Sequence, residues 1–522
     1  MYGRFVAEMP AFLRQRITPA SARATIAHRL PSREINFLRV LERGVFARKA
    51  SPYLFLFREA GCEFGDAEQL VKRNGVDAAL AILYDRGVRL SFDEFKGRAP
   101  LTRGGRSLDL GPAAFDNPLG TGHYETQTSG STGTATRVNT DLAHVSSVAP
   151  NMLTAQEANG MMGSPVIMYG PGLPCATATN NILRQIITGN PVRRWFSPVA
   201  PAETKSALRF RTADWLIPAL VRAWGSEFPR RELVPFAEAV KVARAAAALA
   251  KTEGRCLVRC AVSTAHTVAL AAVENRIDLS GITFNGGGEP PSAAKVKGII
   301  ASGARYVTSY SMNEAGLLGV ACARGVDHSD VHFLRDRLAL VERPQPVPGS
   351  DHTVAAFSFT SLLSTAPKIL INVESDDFGI LEERQCGCLL GEMGFQQHIR
   401  QVRSLRKLTG RGITLVGADI ARIIEEDLPA RFGGSSQDFQ LVEEEDHSGA
   451  TRLVLLVSPS VPVEDNEAPA AALLDALARG TPGASLSSAI LRGAGAIDVR
   501  REKPQPTAHG KLPVFRTTAG RR

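Results

Sequence analysis

Long apolar runs and a secretion signal are both missing from this 522-residue chain. No segment approaches the roughly 20 apolar residues that a membrane-spanning helix needs. The amino-terminal segment, residues 1–16, lacks the apolar core and the small-residue cleavage site of a secretion signal. We therefore expect a cytoplasmic protein that contacts no membrane. The seven cysteines are not expected to form disulfide bonds in that compartment.

A compact basic segment with interleaved aromatic residues, the pattern typical of nucleic-acid binding, is also missing. The net charge is +9, but the lysines and arginines are spread along the chain. A diffuse positive field attracts small polyanions, such as nucleotides and coenzyme A, and acidic carrier proteins. We predict no nucleic-acid partner, and a nucleic-acid-binding protein stays as an alternative that only the charge supports.

Composition and length predict a globular protein with at least two domains. Hydrophobic residues make up 44% and charged residues 22% of the chain, which is ordinary for a globular protein. A chain of 522 residues exceeds what one hydrophobic core usually takes. Short β-branched runs, such as residues 164–169 and 304–309, indicate buried strands that lead into loops. We predict a large layered α/β domain over residues 1–402 and a small α+β domain over residues 403–522.

A glycine- and hydroxyl-rich segment, residues 128–137, is the most informative part of the chain. Its two glycines let the backbone turn tightly and approach an anion closely. Hydroxyl groups and free peptide N–H groups can then surround a polyphosphate. No Gly-Lys-Ser/Thr follows, so the segment is not a Walker A loop. If this segment is considered alone, the alternative interpretation is a flexible surface loop. The candidate phosphate-binding residues are Thr128, Ser129, Gly130, Ser131, Thr132, Gly133 and Thr134.

Two further segments carry nucleotide-binding chemistry. Residues 284–290 read Phe-Asn-Gly-Gly-Gly-Glu-Pro, and residues 309–316 read Ser-Tyr-Ser-Met-Asn-Glu-Ala-Gly. The ring of Tyr310 can stack on a purine, and Glu314 offers a hard carboxylate oxygen to Mg²⁺. The amide of Asn313 can hydrogen-bond near an α-phosphate. If the other segments are left aside, the alternative interpretation is that Tyr310 is an ordinary half-buried aromatic residue and that Asn313 and Glu314 are ordinary surface polar residues.

Together the three segments resemble, in order and spacing, the motifs of the acyl-adenylate-forming superfamily. That superfamily includes acyl- and aryl-CoA synthetases, luciferase and the adenylation domains of peptide synthetases. Ala135 stands at the usual proline position, and Thr136, where most members have lysine, is more similar to the phenylacetate–CoA ligase branch. The resemblance implies an adenylating domain with a mobile C-terminal lid. It also implies that Gly287, Gly288 and Glu289 lie against the adenine.

The resemblance extends to ribose-binding and hinge segments. In residues 374–379, Asp377 is the candidate acceptor of both ribose hydroxyls, with Asp376 as the neighbouring alternative. Arg403 resembles the hinge arginine that holds the ribose. Leu405 and Arg406 stand where the family has its hinge acid, so the pivot residue has no counterpart here.

Near the carboxyl end, residues 506–513 resemble the Gly-Lys motif whose lysine bridges the substrate carboxylate and the α-phosphate. The resemblance thus assigns Lys511 a catalytic role, beside Glu314 and Thr132. A cation that enters only for the first step neutralises charge that develops at phosphorus. Without the resemblance, Lys511 reads as a solvated tail residue.

A cysteine and histidine group suggests a structural zinc ion. Some members of the phenylacetate–CoA ligase branch bind zinc through a cysteine, a histidine and a Cys-x-Cys pair at these places. Thiolate and imidazole ligands suit zinc. The alternative is a set of unrelated cysteines and surface histidines. The candidate ligands are Cys322, Cys386 and Cys388, with either His328 or His332.

The sequence therefore predicts an enzyme that uses ATP and Mg²⁺ to activate a small carboxylic acid as an acyl-adenylate. Coenzyme A is the expected acceptor, and the branch often forms homodimers. Because of the unusual hinge, an acidic carrier protein, a hydroxyl or an amine is the alternative acceptor. A non-catalytic nucleotide sensor is a further alternative, but a binder needs neither Lys511 nor Glu314. The sequence does not identify the acid.

Overall fold

The computed structural model describes most of the chain. The described residues are 2–127, 137–200, 208–346, 353–404, 407–410, 413–416, 422–445, 451–479, 482–505 and 514–517. The phosphate-loop residues 128–134 and Lys511 lie outside these ranges. Across the described residues, no helix combines the length and the apolarity required to cross a bilayer.

The amino-terminal part of the chain is helical. Residues 5–13 share a hydrophobic cluster with strands of the parallel half of the main sheet, whereas residues 37–95 share one with strands of the antiparallel half. A small hairpin and a two-stranded ribbon follow, and the ribbon flanks residues 128–136. These elements are α1 (Tyr2–Leu13), α2 (Pro19–Arg29), α3 (Arg33–Val40), α4 (Pro52–Glu59), α5 (Phe64–Asp85), α6 (Phe92–Phe95), β1 (Leu101–Arg103), β2 (Arg106–Leu108), β3 (Tyr124–Gln127) and β4 (Arg137–Thr140), with a π-helical turn at Leu41–Phe46 and a 3-10 turn at Pro112–Phe115.

A twelve-stranded sheet forms the centre of the described structure. One half is parallel, and its strands are rich in buried apolar residues because helices cover both faces. In spatial order this half contains β10 (Arg305–Met312), β9 (Ile282–Gly287), β8 (Cys256–Ala261), β5 (Val166–Tyr169), β6 (Val192–Ser197) and β7 (Arg231–Leu233). The associated helices are α7 (Leu142–Ala158), α8 (Ala176–Ile187), α9 (Leu208–Ala223), α10 (Val240–Glu253), α11 (Val262–Glu274) and α12 (Ala293–Ala301), with a 3-10 turn at Phe236–Glu238.

The other half of the sheet is antiparallel. Strand β10 belongs to both halves, since it pairs in parallel with β9 and antiparallel with β11. From β10 outward the strands are β11 (Gly316–Ala321), β12 (Val331–Phe333), β16 (Gln397–Ser404), β15 (Val373–Glu383), β14 (Thr353–Ser361) and β13 (Leu338–Pro346), and the short helix α13 (Leu389–Glu392) precedes β16.

A separate four-stranded sheet with helices follows in the carboxyl-terminal part of the chain. The last strand of the large sheet ends at Ser404, just after the predicted domain boundary at residue 402. The elements are the hairpin β17 (Lys407–Gly410) and β18 (Ile413–Val416), a π-helical turn (Ile423–Asp427), α14 (Leu428–Phe432), β19 (Phe439–Glu445), β20 (Thr451–Val457), α15 (Ala468–Ala478), α16 (Pro482–Gly493), β21 (Ile497–Arg500) and β22 (Phe515–Thr517). The predicted fold class, a large layered α/β unit followed by a small α+β unit, is confirmed.

The core of the parallel half depends on large apolar side chains such as Phe284 of β9, which is fully buried. Truncation to alanine leaves a cavity that packed neighbours fill only partly. We expect Phe284→Ala to destabilise the protein by about 3–5 kcal/mol. Thermal unfolding of purified variants measures the loss. The control is Val273→Ala on α11, whose side chain is exposed. An equal effect in both variants would contradict the assigned core.

Candidate functional site

A cavity of about 220 Å³ opens at the carboxyl ends of the parallel strands. Tyr169 at the end of β5, Ala261 at the end of β8 and Gly287 at the end of β9 all line it. Residues 311–313, at the end of β10, complete this edge. In open α/β sheets ligands bind outside the carboxyl ends of the strands, where the sheet topology changes. The cavity lies at such a position.

The glycine segment predicted to lie against adenine forms part of this cavity. A Cβ atom at Gly287 would lie 2.8 Å from Ser309 Oγ, so a side chain there would collide with β10. Gly288 has a φ of +79°, in the region that favours glycine. Both glycines line the cavity, as does the predicted Asn313. Backbone therefore borders the cavity directly at this point.

Glu289, the next residue of the segment, has a different position. Its carboxylate accepts hydrogen bonds from the backbone N–H and the hydroxyl of Ser263, both at 2.6 Å. Lys295 forms an ion pair with it at 3.2 Å. Glu289 is not among the residues that line the cavity. Its side chain ties the start of α11 to the glycine turn.

Tyr310 and Asp377 are brought together although 67 positions separate them. The Tyr310 hydroxyl donates to Asp377 Oδ2 at 2.8 Å, and the Ser404 hydroxyl donates to Asp377 Oδ1. Burial, with the neighbouring Asp377 carboxylate, raises the pKa of Tyr310 well above its ordinary value. Asp377 is half-buried, whereas Asp376 is 1% exposed. Asp377 is thus the better placed of the two ribose candidates.

Arg403 lies beside this group on the neighbouring strand. It is exposed on β16, where the strand register pairs it with Phe378, while Ser404 pairs with Asp377. The predicted ribose residues Asp377 and Arg403 therefore lie on adjacent strands of one ladder.

Glu314, the predicted magnesium ligand, is 3% exposed and forms an ion pair with Lys96 through Oε1. Burial alone would raise the pKa of this carboxyl, but the Lys96 ammonium outweighs burial and holds it below its ordinary value. The motif search did not identify Lys96, because a lone lysine after α6 carries no sequence signal. A carboxylate kept ionised fits Mg²⁺, which prefers hard oxygen ligands.

A second ion pair lies near the first, because the Lys368 ammonium also acts to lower the pKa of Glu314. Lys368, which is fully buried, forms an ion pair with Asp116 at 2.5 Å. Asp116 also pairs with Arg137 at 3.0 Å, and Arg137 is the first described residue after the glycine- and hydroxyl-rich loop. The strand that follows the predicted phosphate loop is therefore attached to the charged network near Glu314.

Three cysteines and a histidine from distant segments meet in a group next to β12. His332 Nε2 lies 3.1 Å from Cys388 Sγ and 3.7 Å from Cys386 Sγ, and the two sulfurs are 3.4 Å apart. A hydrogen bond from the Cys322 thiol lowers the pKa of Cys388. Tetrahedral zinc with bonds of about 2.0–2.3 Å needs ligand atoms roughly this far apart. Of the two histidine alternatives the structure brings only His332 into the group, because His328 is exposed.

His398 is a donor that the sequence reasoning missed. The ligand atoms of Cys322, His332, Cys386 and His398 all lie within 4.8 Å of one another. His398 Nδ1 lies 2.7 Å from Asp330, and its Nε2 is buried with no hydrogen-bond partner. His332 Nδ1 similarly lies 2.6 Å from the Phe395 carbonyl. Zinc-binding histidines are oriented through their second nitrogen in this way.

No family model and no curated protein matches the chain. A search of solved structures finds 2-hydroxyisobutyryl-CoA ligase in complex with 2-HIB-AMP and CoA, at 15% identity and a TM-score of 0.56. The alignment covers 94% of this chain and 90% of that one. The chain therefore shares the fold of this ligase. The amide bond synthetase McbA from Marinactinospora thermotolerans is also found, at 14% identity and a TM-score of 0.43, over 83% of this chain and 76% of that one.

The buried Lys96–Glu314 pair generates a pH-dependent prediction. We expect Lys96→Met to destabilise the protein by about 3–5 kcal/mol at neutral pH, because a buried carboxylate is left unpaired. In the variant, burial raises the pKa of Glu314, so protonation relieves the penalty and the deficit shrinks toward about pH 5. In the native pair the pKa is lowered, so its stabilisation is present above the ordinary value of 4.5 and is lost as the pH falls through the lower value.

Thermal unfolding between about pH 5 and pH 8 measures this difference. The matched control is Lys72→Met, which breaks the exposed pair with Glu68. Exposed pairs contribute about 0–1 kcal/mol, so its effect should be small at every pH. A deficit in Lys96→Met that does not change with pH would contradict the assigned ion pair.

Proposed function

We propose that the protein is a Mg²⁺- and ATP-dependent ligase that activates a carboxylic acid as an acyl-adenylate and transfers the acyl group to a thiol, namely that of coenzyme A. One observation carries this proposal. The Gly287–Gly288 turn and Asn313 border one cavity, beside the Tyr310–Asp377 pair and the buried Glu314. The fold around them is shared with a ligase solved with an acyl-adenylate and CoA.

The first half-reaction joins two anions. A carboxylate oxygen of the acid attacks the α-phosphorus of ATP, the bond to the β-phosphate oxygen breaks, and pyrophosphate leaves. Mg²⁺, when bound, neutralises phosphate charge. Among the chain's residues, Glu314 would hold the metal ion, while Asp377 and Arg403 would orient the ribose. The loop with Thr132 and the Lys511 ammonium would offset the remaining negative charge at phosphorus.

The second half-reaction needs a nucleophile. The thiolate of coenzyme A attacks the acyl carbon, and AMP leaves with the electron pair of the broken acyl–phosphate bond. Exclusion of water from the cavity protects the adenylate from hydrolysis. Leu405 and Arg406 replace the hinge acid of the family, so a carrier-protein thiol, a hydroxyl or an amine is the alternative acceptor. Supplying each acceptor to the preformed adenylate distinguishes these classes.

We expect Lys511→Ala to reduce adenylate formation about 100-fold while thioester formation from a supplied adenylate is retained, because the cation acts only in the first step. ATP–pyrophosphate exchange measures the first step, and thioester formation measures the second. The matched control is Lys503→Ala, an exposed lysine in the same part of the chain. Equal losses in both half-reactions would contradict the assigned role.

We also propose that four side chains bind a structural zinc ion. They are Cys322, His332, Cys386 and either Cys388 or His398. The donor set and the unpartnered, buried Nε2 of His398 support the site. Zinc there would connect the loop after β11 to the segment before β16. It would thus stabilise the antiparallel half of the sheet rather than take part in the reaction.

We expect the purified protein to contain zinc in equimolar amount and Cys386→Ser to lose most of it. The variant should also unfold at a lower temperature, since a structural metal ion contributes folding energy. Elemental analysis and thermal unfolding, with and without a chelator, measure both effects. Cys62→Ser, at a cysteine outside the group, is the control. Equal metal content in the two variants would contradict the site.

A further inference from the structure

Two arginine side chains that line the cavity have no carboxylate partner among the described residues. Arg184, on α8, is 9% exposed, and its buried Nε atom has no described hydrogen-bond partner. Arg259, on β8, is half-buried and lines the same cavity. Buried charges in proteins are ordinarily paired with an opposite charge. In the described part of the chain these two arginines form no ion pair, which distinguishes them from Lys96, Lys295 and Lys368.

The hydrogen bonds of Arg259 are made to neutral amides. Its Nη2 donates to Asn285 Oδ1 at 2.8 Å. Its Nη1 donates to the Gln185 side-chain oxygen at 3.2 Å, with that amide in the orientation that satisfies its own hydrogen bonds. These contacts hold the guanidinium in place but do not neutralise it. An anion in the cavity would supply the missing charge.

Both arginines are cationic at neutral pH. Burial lowers the pKa of Arg184 to about 10, and burial together with the adjacent Arg184 lowers the pKa of Arg259 to about 10. His144, which also lines the cavity, is neutral, because burial and the nearby Arg337 and Arg184 lower its pKa well below 6.5. This part of the cavity therefore carries a net positive charge.

The strand register places Arg259 before the sheet edge that carries the glycine turn. Arg259 pairs with Met168 on one side and Asn285 on the other, two positions before Ala261 and Gly287 at the sheet edge. Asn285 is the motif residue beside Arg259, whereas Gly287, Gly288 and Asn313 border the cavity at or beyond that edge. The acid's reacting carboxylate must face the nucleotide, so the arginines face the opposite end of the acid.

We propose that the acid carries a second anionic group, held by Arg184 and Arg259, and that the substrate class is the short dicarboxylic acids, aliphatic or aryl. A guanidinium matches a carboxylate through two parallel hydrogen bonds. A cavity of about 220 Å³ suits a short acid. This inference rests on the proposed adenylation reaction and identifies the class of acid that the enzyme activates.

Matched acid pairs test the inference in ATP–pyrophosphate exchange with the full-length protein. The pairs are succinate with butyrate, glutarate with valerate, and terephthalate with 4-methylbenzoate. Within a pair, we expect kcat/KM to be about 100-fold higher for the diacid than for the monoacid, because the monoacid leaves the arginine donors unpaired. Sulfonate analogues of the diacids show whether a carboxylate is required or any anion suffices.

Arginine variants assign the effect to these residues. We expect Arg184→Met and Arg259→Met each to reduce kcat/KM for the diacid about 100-fold and to leave the KM for ATP unchanged. Arg184→Lys should retain part of the preference, because it keeps the charge without the two-pronged geometry. Arg193→Met, at an exposed arginine on β6, is the matched control. An increased KM for ATP in Arg184→Met would assign the arginines to the triphosphate and overturn the inference.

A binding measurement separates this inference from the proposed function. We expect the diacid alone, without ATP, to raise the unfolding temperature of the native protein and to have no effect on Arg184→Met. Arg184→Met is expected to fold, because it removes an unpaired buried charge. If monoacids and diacids react equally well, adenylation stands and the diacid inference fails. If no acid supports exchange, the proposed function fails, and the diacid-dependent temperature shift then decides whether the anion site exists.

Discussion

The change of strand direction at β10 is the constraint on which the rest of the site depends. Because β10 is parallel to β9 and antiparallel to β11, the chain must reverse within a short turn after Met312. Antiparallel neighbours permit such a turn, whereas parallel strands need a long crossover. The turn carries Asn313 and Glu314 and ends at Gly316, whose φ of +81° favours glycine. The turn thereby places Asn313 at the edge of the cavity and the buried Glu314 directly after it.

Several charged side chains around this turn are paired with an opposite charge. Glu314 is neutralised by Lys96, Asp116 by Lys368, and Glu289 by Lys295. The first two pairs connect segments that are distant in the chain, whereas Glu289 and Lys295 are six positions apart. Arg184 and Arg259 depart from the pattern, since neutral amides are the only described side chains that hydrogen-bond to Arg259 and none does so to Arg184. Arg337 is also buried and forms no ion pair among the described residues, but it does not line the cavity. Arg184 and Arg259 are therefore the two arginines that face a ligand there.

Individual residues of the site differ in whether the sequence alone could predict their position. The glycine turn was predictable, because glycine is required where backbone approaches β10 and where φ is positive. The Tyr310–Asp377 contact confirms that two motifs far apart in the chain meet. Lys96 and His398 were not predictable, because each is a single residue with an ordinary local sequence. The hydrogen bond between the Ser263 hydroxyl and Glu289 was not predictable either, because the local motif does not indicate which distant residue Glu289 meets. The position of Glu289 against the adenine stays a prediction.

The sequence by itself determined the class of fold, the order of the motifs and the chemical types available for nucleotide and metal binding. These depend on local patterns: strand-forming runs, glycines in turns and the spacing of reactive side chains. Only the tertiary structure decided which histidine joins the cysteines, which cation faces Glu314 and which arginines enter the cavity without a counter-charge. Such pairings depend on distances between segments that are remote in the chain, and burial determines their energy.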